Sequence, residues 1–185
     1  MKSFITEFID NIISLIPWVI VAWILFSWVS LATAQEQPLT EEQEIVAITL
    51  LGEAQGEKAQ GLYAVGCVIQ RRSEERKLTL SQVCLENKLN KNGVRVWQFS
   101  CWKDKPYIQT IRRLLKANTK QSAYAKHLAR CMSKGWKLVQ DFTGHANHFY
   151  SSKILKKPPF WAFDKKRREW RKPSKIIGNH VFYKL

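Results

Sequence analysis

The segment Gly52-Glu53-Ala54-Gln55-Gly56-Glu57 places a carboxylic acid directly behind a largely apolar run, Ile45 to Leu51. Splitting a glycosidic bond requires a proton for the leaving oxygen. A carboxyl group keeps one near neutral pH only when its pKa is raised. Two features of the sequence push Glu53 that way. Its apolar neighbours Leu50, Leu51 and Ala54 would desolvate the charged form, and the carboxyl end of a preceding helix carries negative dipole charge. A hydrolase that works with two carboxylates needs the second at a set distance, and none is plainly paired with Glu53. Glu57 is nearest along the chain and Asp141 is the strongest distant candidate, although capping the following turn is the simpler role for Asp141. His145, His148 and His180 are zinc-ligand residue types. Gly144 and Asn147 nevertheless make that stretch a loop, and no H-E-x-x-H is present. Neither a metal nor a cofactor is expected.

The elements that must hold these residues can be read from caps and periodicity. Thr40 followed by Gln43 forms a capping-box pattern, with Glu41, Glu42 and Glu44 in the first turn, so a helix is expected over 41–51. GEAQGE breaks it, and a second helix follows over 59–72, whose Gly61, Ala64 and Gly66 permit close packing. Thr79 and Gln82 repeat the capping pattern before a short helix with Val83 and Cys84. Residues 87–105 read as loop or hairpin. Asp104 and Pro106 open a helix with Ile108, Ile111, Leu114 and Leu115 on one face, and Tyr124, Leu128, Cys131 and Met132 mark another that stops at Gly135. Beyond Asp141 the chain is aromatic and loop-rich, ending in His180-Val181-Phe182-Tyr183, which alternates like a strand. Together these give a mainly helical α+β domain with a small β element.

Residues 12–34 contain no charged side chain, and the run is long enough to cross a hydrocarbon core. It ends in Ala32-Thr33-Ala34, a small-x-small site for a signal peptidase. Residues 1–34 therefore read as a signal peptide or a transmembrane anchor, 35–40 as a polar linker, and 41–185 as the exported domain. The protein would be membrane-anchored, or periplasmic or extracellular after cleavage. The net charge of +15 favours polyanionic partners. Eleven Lys and Arg crowd the last 35 residues against Asp164 and Glu169 alone. An anionic cell-wall polymer or membrane surface fits an exported chain; nucleic acid does not, and a monomer is expected. Four cysteines, 67, 84, 101 and 131, allow three pairings and contain no C-x-x-C.

The stretches GEAQGE, GLYAVGCVIQRR, QFSCW (98–102), DFTGHANHFY, PFWA (159–162) and IGNHVFY (177–183) fall in one order across residues 45–183. In that order they resemble the SleB/CwlJ-type cell wall hydrolase domain. The resemblance implies a lysozyme-related α+β fold, here preceded by an N-terminal hydrophobic helix. It also implies cleavage of the peptidoglycan glycan between N-acetylmuramic acid and N-acetylglucosamine. Glu53 matches the family's catalytic glutamate, and Glu57 the second acid of that motif, which would orient Glu53 or bind sugar. Gln98, Ser100 and Trp102 match a cleft-lining segment, His148 the histidine of the aromatic motif, and His180 and Tyr183 the closing strand. Cys84 and Cys101 stand where the family often has cysteines that bridge. Three departures are visible: Gln55 stands where Arg is usual, Gln70 where Asn usually precedes Arg71, and Tyr150 where a second His is common.

A single acid favours lytic transglycosylation over hydrolysis. The same carboxyl protonates the glycosidic oxygen and then takes a proton from the sugar's own C6 hydroxyl, which closes a 1,6-anhydro ring. Among the aromatic residues that could stack on sugar rings, Trp102 and Tyr150 are the chosen contacts. The alternatives are a wall-binding module without activity, an N-acetylmuramoyl-L-alanine amidase and a basic membrane-disrupting protein.

Overall fold

The computed structural model describes residues 37–185. The apolar run read as a signal or anchor lies outside them. Among the described residues no helix is long and apolar enough to cross a membrane.

Thr40 opens helix α1 (Glu41–Glu53). Its hydroxyl accepts from the Gln43 N–H at 3.3 Å, while Gln43 Oε1 accepts from the Thr40 N–H at 3.1 Å. Two otherwise orphaned donors are thereby satisfied. Residues Val46 to Leu51 are all buried. A helix stretch apolar on every side belongs inside a core, and α1 accordingly packs against four others: α2 (Lys58–Arg76), α3 (Leu80–Cys84), α4 (Lys105–Lys116) and α5 (Lys120–Ser133). α1 continues two residues past the expected end, so Glu53 is its last residue and does not lie in the turn beyond it. α2 likewise extends to Arg76 before Lys77 turns left-handed at φ 54°.

Thr79 and Gln82 form the second reciprocal cap, and Pro106 sits in the first turn of α4, where its missing N–H costs nothing. Ile111 and Leu115 of α4, with Leu128 and Met132 of α5, complete the helical core.

The strands are short: β1 (Asn87–Leu89), β2 (Arg95–Trp97), β3 (His148–Ser151), β4 (Phe163–Asp164), β5 (Glu169–Trp170), β6 (Lys175–Ile177) and β7 (His180–Tyr183). β1–β2 and β4–β5 are separate antiparallel hairpins, and the third sheet has the order β3-β7-β6. Pairing sets His148 opposite Tyr183 and Ser151 opposite His180. The sequence suggests β7 as a strand with one wet face, yet all four of its residues are buried. Phe182 packs with Ala64 and Val68 of α2, whereas Val181 and Tyr183 pack with Ala162 and Tyr150. Both faces of the strand are covered, one by a helix and one by the aromatic segment around residue 162.

Candidate active site

Gly52 sits at the end of α1 against the 3-10 turn Ser100–Trp102, in a contact too close for any side chain. A Cβ there would lie 2.6 Å from Cys101 Cβ. The contact brings two donors to one oxygen of Glu53. The Cys101 backbone N–H donates to Glu53 Oε1 at 2.8 Å, and the Ser100 hydroxyl donates to the same atom at 3.1 Å.

Glu53 faces a cleft of about 550 Å³. It is lined by Gln98, Ser100, Cys101 and Tyr107 from the segment after β2 and the start of α4, and by Phe149, Tyr150 and Ser151 of β3 with Trp161, Arg72 and His180. Glu53 is half-buried, so its carboxyl reaches the cleft while protein atoms replace most of its hydration shell. Burial is the dominant influence and raises its pKa. The two Cys101 donors, the Ser100 hydroxyl and the Arg72 cation pull it the other way without overcoming burial. This is the environment a general acid requires.

Arg72 is almost fully buried. Its Nε donates to the Asn147 carbonyl at 2.7 Å, its guanidinium lies 5.1 Å from the Phe99 ring centroid, and Nη1 has no partner. Burial lowers its pKa to about 10, so it remains a cation at neutral pH. His180 is buried against Phe149 and Phe182, and burial lowers its pKa. Tyr107 donates its hydroxyl to the Gly52 carbonyl at 2.9 Å, with Gln55 Oε1 a second acceptor in reach of the same proton at 3.2 Å.

A family model described as Cell Wall Hydrolase matches residues 56–183. The chain belongs to the cell wall hydrolase family. It is, in that broad sense, a peptidoglycan-degrading hydrolase. The matched span begins after Glu53, so the assignment of that residue rests on the geometry just described. No curated protein and no solved structure matches this hydrolase.

Of the residues singled out in the sequence, the hydrolase brings Glu53, Gln98, Ser100, Tyr150 and His180 together around the cleft. Four others do not line it. Trp102 is half-buried against the helical core, where its indole N–H donates to the buried Thr49 hydroxyl at 3.0 Å; that bond turns it away from the cleft lining. Trp102→Phe should lower stability by about 1 kcal/mol, the usual net worth of one hydrogen bond. A thermal melt should show that loss while cell-wall turbidity clearing stays within about threefold of wild type. His148 and Tyr183 sit behind the cleft wall, with ring centroids 5.2 and 5.5 Å from Trp161. Tyr183 also stacks on Tyr150 at 6.2 Å. Burial, aided by the Arg72 and Arg76 cations, lowers the His148 pKa to about 4, so its ring is neutral at neutral pH.

Glu57 is a clamp. Its carboxylate accepts from the Asn179 backbone N–H at 3.0 Å and from the Asn179 side-chain amide at 2.6 Å. The neighbouring Gly178, at φ +58°, leaves the space this carboxylate occupies. The turn between β6 and β7 is thereby fixed to the start of α2. Desolvation raises the Glu57 pKa, but the Asn179 hydrogen bonds outweigh it and the net shift is downward from 4.5. A lowered carboxylate contributes stability above its unfolded value and loses it as pH falls through the folded one. The stability gap between wild type and Glu57→Gln should therefore be full above pH 4.5 and close below it, a trend that chemical denaturation across pH would reveal.

Cys84 and Cys101, the pair that the resemblance offers for a bridge, are buried free thiols, as is Cys67. Burial pushes the Cys84 thiol up to about 12 and that of Cys101 upward as well. Gln70 is also structural: its amide donates to the Trp136 carbonyl and its oxygen accepts from the Leu138 N–H, each at 2.7 Å. Asp141 pairs with His145 and does not line the cleft. Sequence reasoning missed Arg72 and Tyr107. Arg72 lies in the quoted GLYAVGCVIQRR stretch, and only its burial distinguishes it from the exposed-side pair formed by Arg71 and Glu75.

Proposed function

We propose that this domain is a lytic transglycosylase that cuts the peptidoglycan glycan between N-acetylmuramic acid and N-acetylglucosamine. The observation that carries the reading is that Glu53 is the one carboxylate lining the cleft among the described residues. A hydrolase of the two-carboxylate type needs a second acid across the scissile bond, whereas transglycosylation needs one group to act twice. Protonated Glu53 gives its proton to the glycosidic oxygen as the C1–O bond breaks. The resulting carboxylate takes the proton of the muramic C6 hydroxyl, and O6 bonds to C1. Atoms and charge balance without water. The Cys101 N–H, the Ser100 hydroxyl and the Arg72 cation favour the ionised form that exists between the two steps. Trp97, Tyr150 and Trp161 provide rings on the cleft walls for pyranose stacking. The run 12–34 would place the domain outside the cytoplasm, where this substrate lies.

Digesting purified peptidoglycan and weighing the fragments tests the proposal. Muramic ends 18 mass units lighter than the corresponding reducing ends, about the mass of one water, are expected because none is consumed. Reducing ends throughout would make the enzyme a hydrolase, and release of stem peptides alone would make it an amidase.

A further inference from the structure

The hairpin β4–β5 lies outside the cleft and has no role in the chemistry above. Its turn is shaped by Asp164, whose Oδ1 accepts from the backbone N–H groups of Lys166 at 3.0 Å and Arg167 at 3.3 Å, while Oδ2 pairs with Arg171 at 3.2 Å. That acid is neutralised within the hairpin. Its tip presents four consecutive cations, Lys165, Lys166, Arg167 and Arg168, all exposed. Beneath them runs a row of aromatic rings. Phe160 stacks on Phe163 at 6.1 Å, Phe163 meets Trp170 edge-on at 5.2 Å, and the Lys165 ammonium sits 5.2 Å from the Phe160 ring. Phe160 is 68% and Trp170 51% exposed, and neither lines the cleft.

A soluble domain gains nothing from keeping two large rings wet beside a cationic tip unless something covers them. A polyanionic chain without sugar rings, such as polyphosphate, would satisfy the cations but would leave the rings in water. The headgroup region of an anionic bilayer satisfies both, because phosphates meet the Lys and Arg while Phe and Trp settle at the polar–apolar boundary. We propose that the β4–β5 hairpin is a membrane-docking element that holds this domain on an anionic phospholipid surface. Glycan close to the membrane would then be its nearest substrate. The docking claim does not depend on the reaction type proposed above.

The test uses the full chain and vesicles of either pure phosphatidylcholine or a mixture with phosphatidylglycerol. Any contribution from the apolar run 12–34 should be similar for both compositions, so the readout is the excess of binding to the anionic vesicles. Replacing Lys165, Lys166, Arg167 and Arg168 together by Gln should cut that excess at least tenfold. Replacing Lys105, Arg113, Lys116 and Lys120 by Gln removes the same charge from exposed positions on α4 and α5 and should change it by less than threefold. Phe160→Ser with Trp170→Ser should reduce it severalfold even with every cation retained. Cleavage of soluble glycan fragments by the tip variant should equal wild type. Equal losses from the tip and control sets would reduce the effect to net charge and overturn the proposal. Loss from the tip set alone, no effect of the ring replacements and full competition by soluble polyphosphate would also overturn it. Those three results together would identify a polyanion site.

Discussion

Glu53→Gln should abolish glycan cleavage while making the fold more stable. The two effects share one cause. Glu53 is held where burial opposes its charge, so the folded protein keeps the proton at a pH where the unfolded chain, with an ordinary value of 4.5, has released it. Above pH 4.5 the unfolded state therefore binds fewer protons than the folded state, and stability falls as pH rises until the folded value is passed. Gln carries no such penalty, and its side-chain oxygen can still accept from the Cys101 N–H and the Ser100 hydroxyl. At pH 7 the variant should be more stable by about 1 kcal/mol, in the range of other replacements that relieve an active site. The difference should vanish in acid well below pH 4.5. Turnover should drop by at least ~10³-fold, because in the proposed reaction the amide can neither give the first proton nor take the second. Wild-type activity should itself decline as pH rises through the raised Glu53 value. Circular dichroism melts and turbidity clearing of cell walls, each across pH, measure all of this. Retained activity would remove Glu53 from the mechanism, and a lower melting temperature at pH 7 would remove the burial argument.

What could be read from the sequence divides along the range of the interactions. Both capping boxes, the helix that Pro106 opens, the stop at Gly135 and the terminal strand depend on residues within four positions of one another, and each is in the structure. Glu53 was legible because its apolar neighbours precede it directly. Strand β3 was not. Its residues His148 to Ser151 become a strand only by pairing with β7, 29 to 35 residues later, and four residues next to Gly144 show no distinctive period. The two-residue strands β4 and β5 offered still less. Trp102 shows how such misreadings arise. An aromatic residue in a motif beside the candidate acid suggests a sugar platform, but the hydroxyl that captures its indole lies 53 positions earlier, on a buried face of α1. Glu57 was displaced from its expected role in the same way by Asn179, 122 positions away. Residue type and local spacing could nominate these groups for the cleft; side-chain direction was decided by partners that only the fold brings near.

Gly52→Ala offers the severest test of the geometry, because two physical rules predict opposite signs. Gly52 lies within the last turn of α1, where Ala is the better helix former by about 1 kcal/mol, so propensity alone expects a more stable protein. The structure forbids it. The new methyl would stand 2.6 Å from Cys101 Cβ and 3.2 Å from its sulfur, and overpacking of this kind costs about 1–3 kcal/mol. The 3-10 turn must then move away from α1, taking the Cys101 N–H and Ser100 hydroxyl from Glu53. Net destabilisation of about 1 kcal/mol is expected, with turnover reduced at least tenfold because, in the proposed reaction, the ionised acid between the two steps loses its donors. A double-mutant cycle separates this clash from a general fault in the helix. Adding Cys101→Gly to Gly52→Ala removes the colliding atom and should restore much of the activity relative to Gly52→Ala alone. Adding Cys101→Ala keeps that atom and should restore little. Wild-type melting temperature and turnover in Gly52→Ala would mean that the turn does not pack on α1 as described, and the positioning of Glu53 would need another explanation.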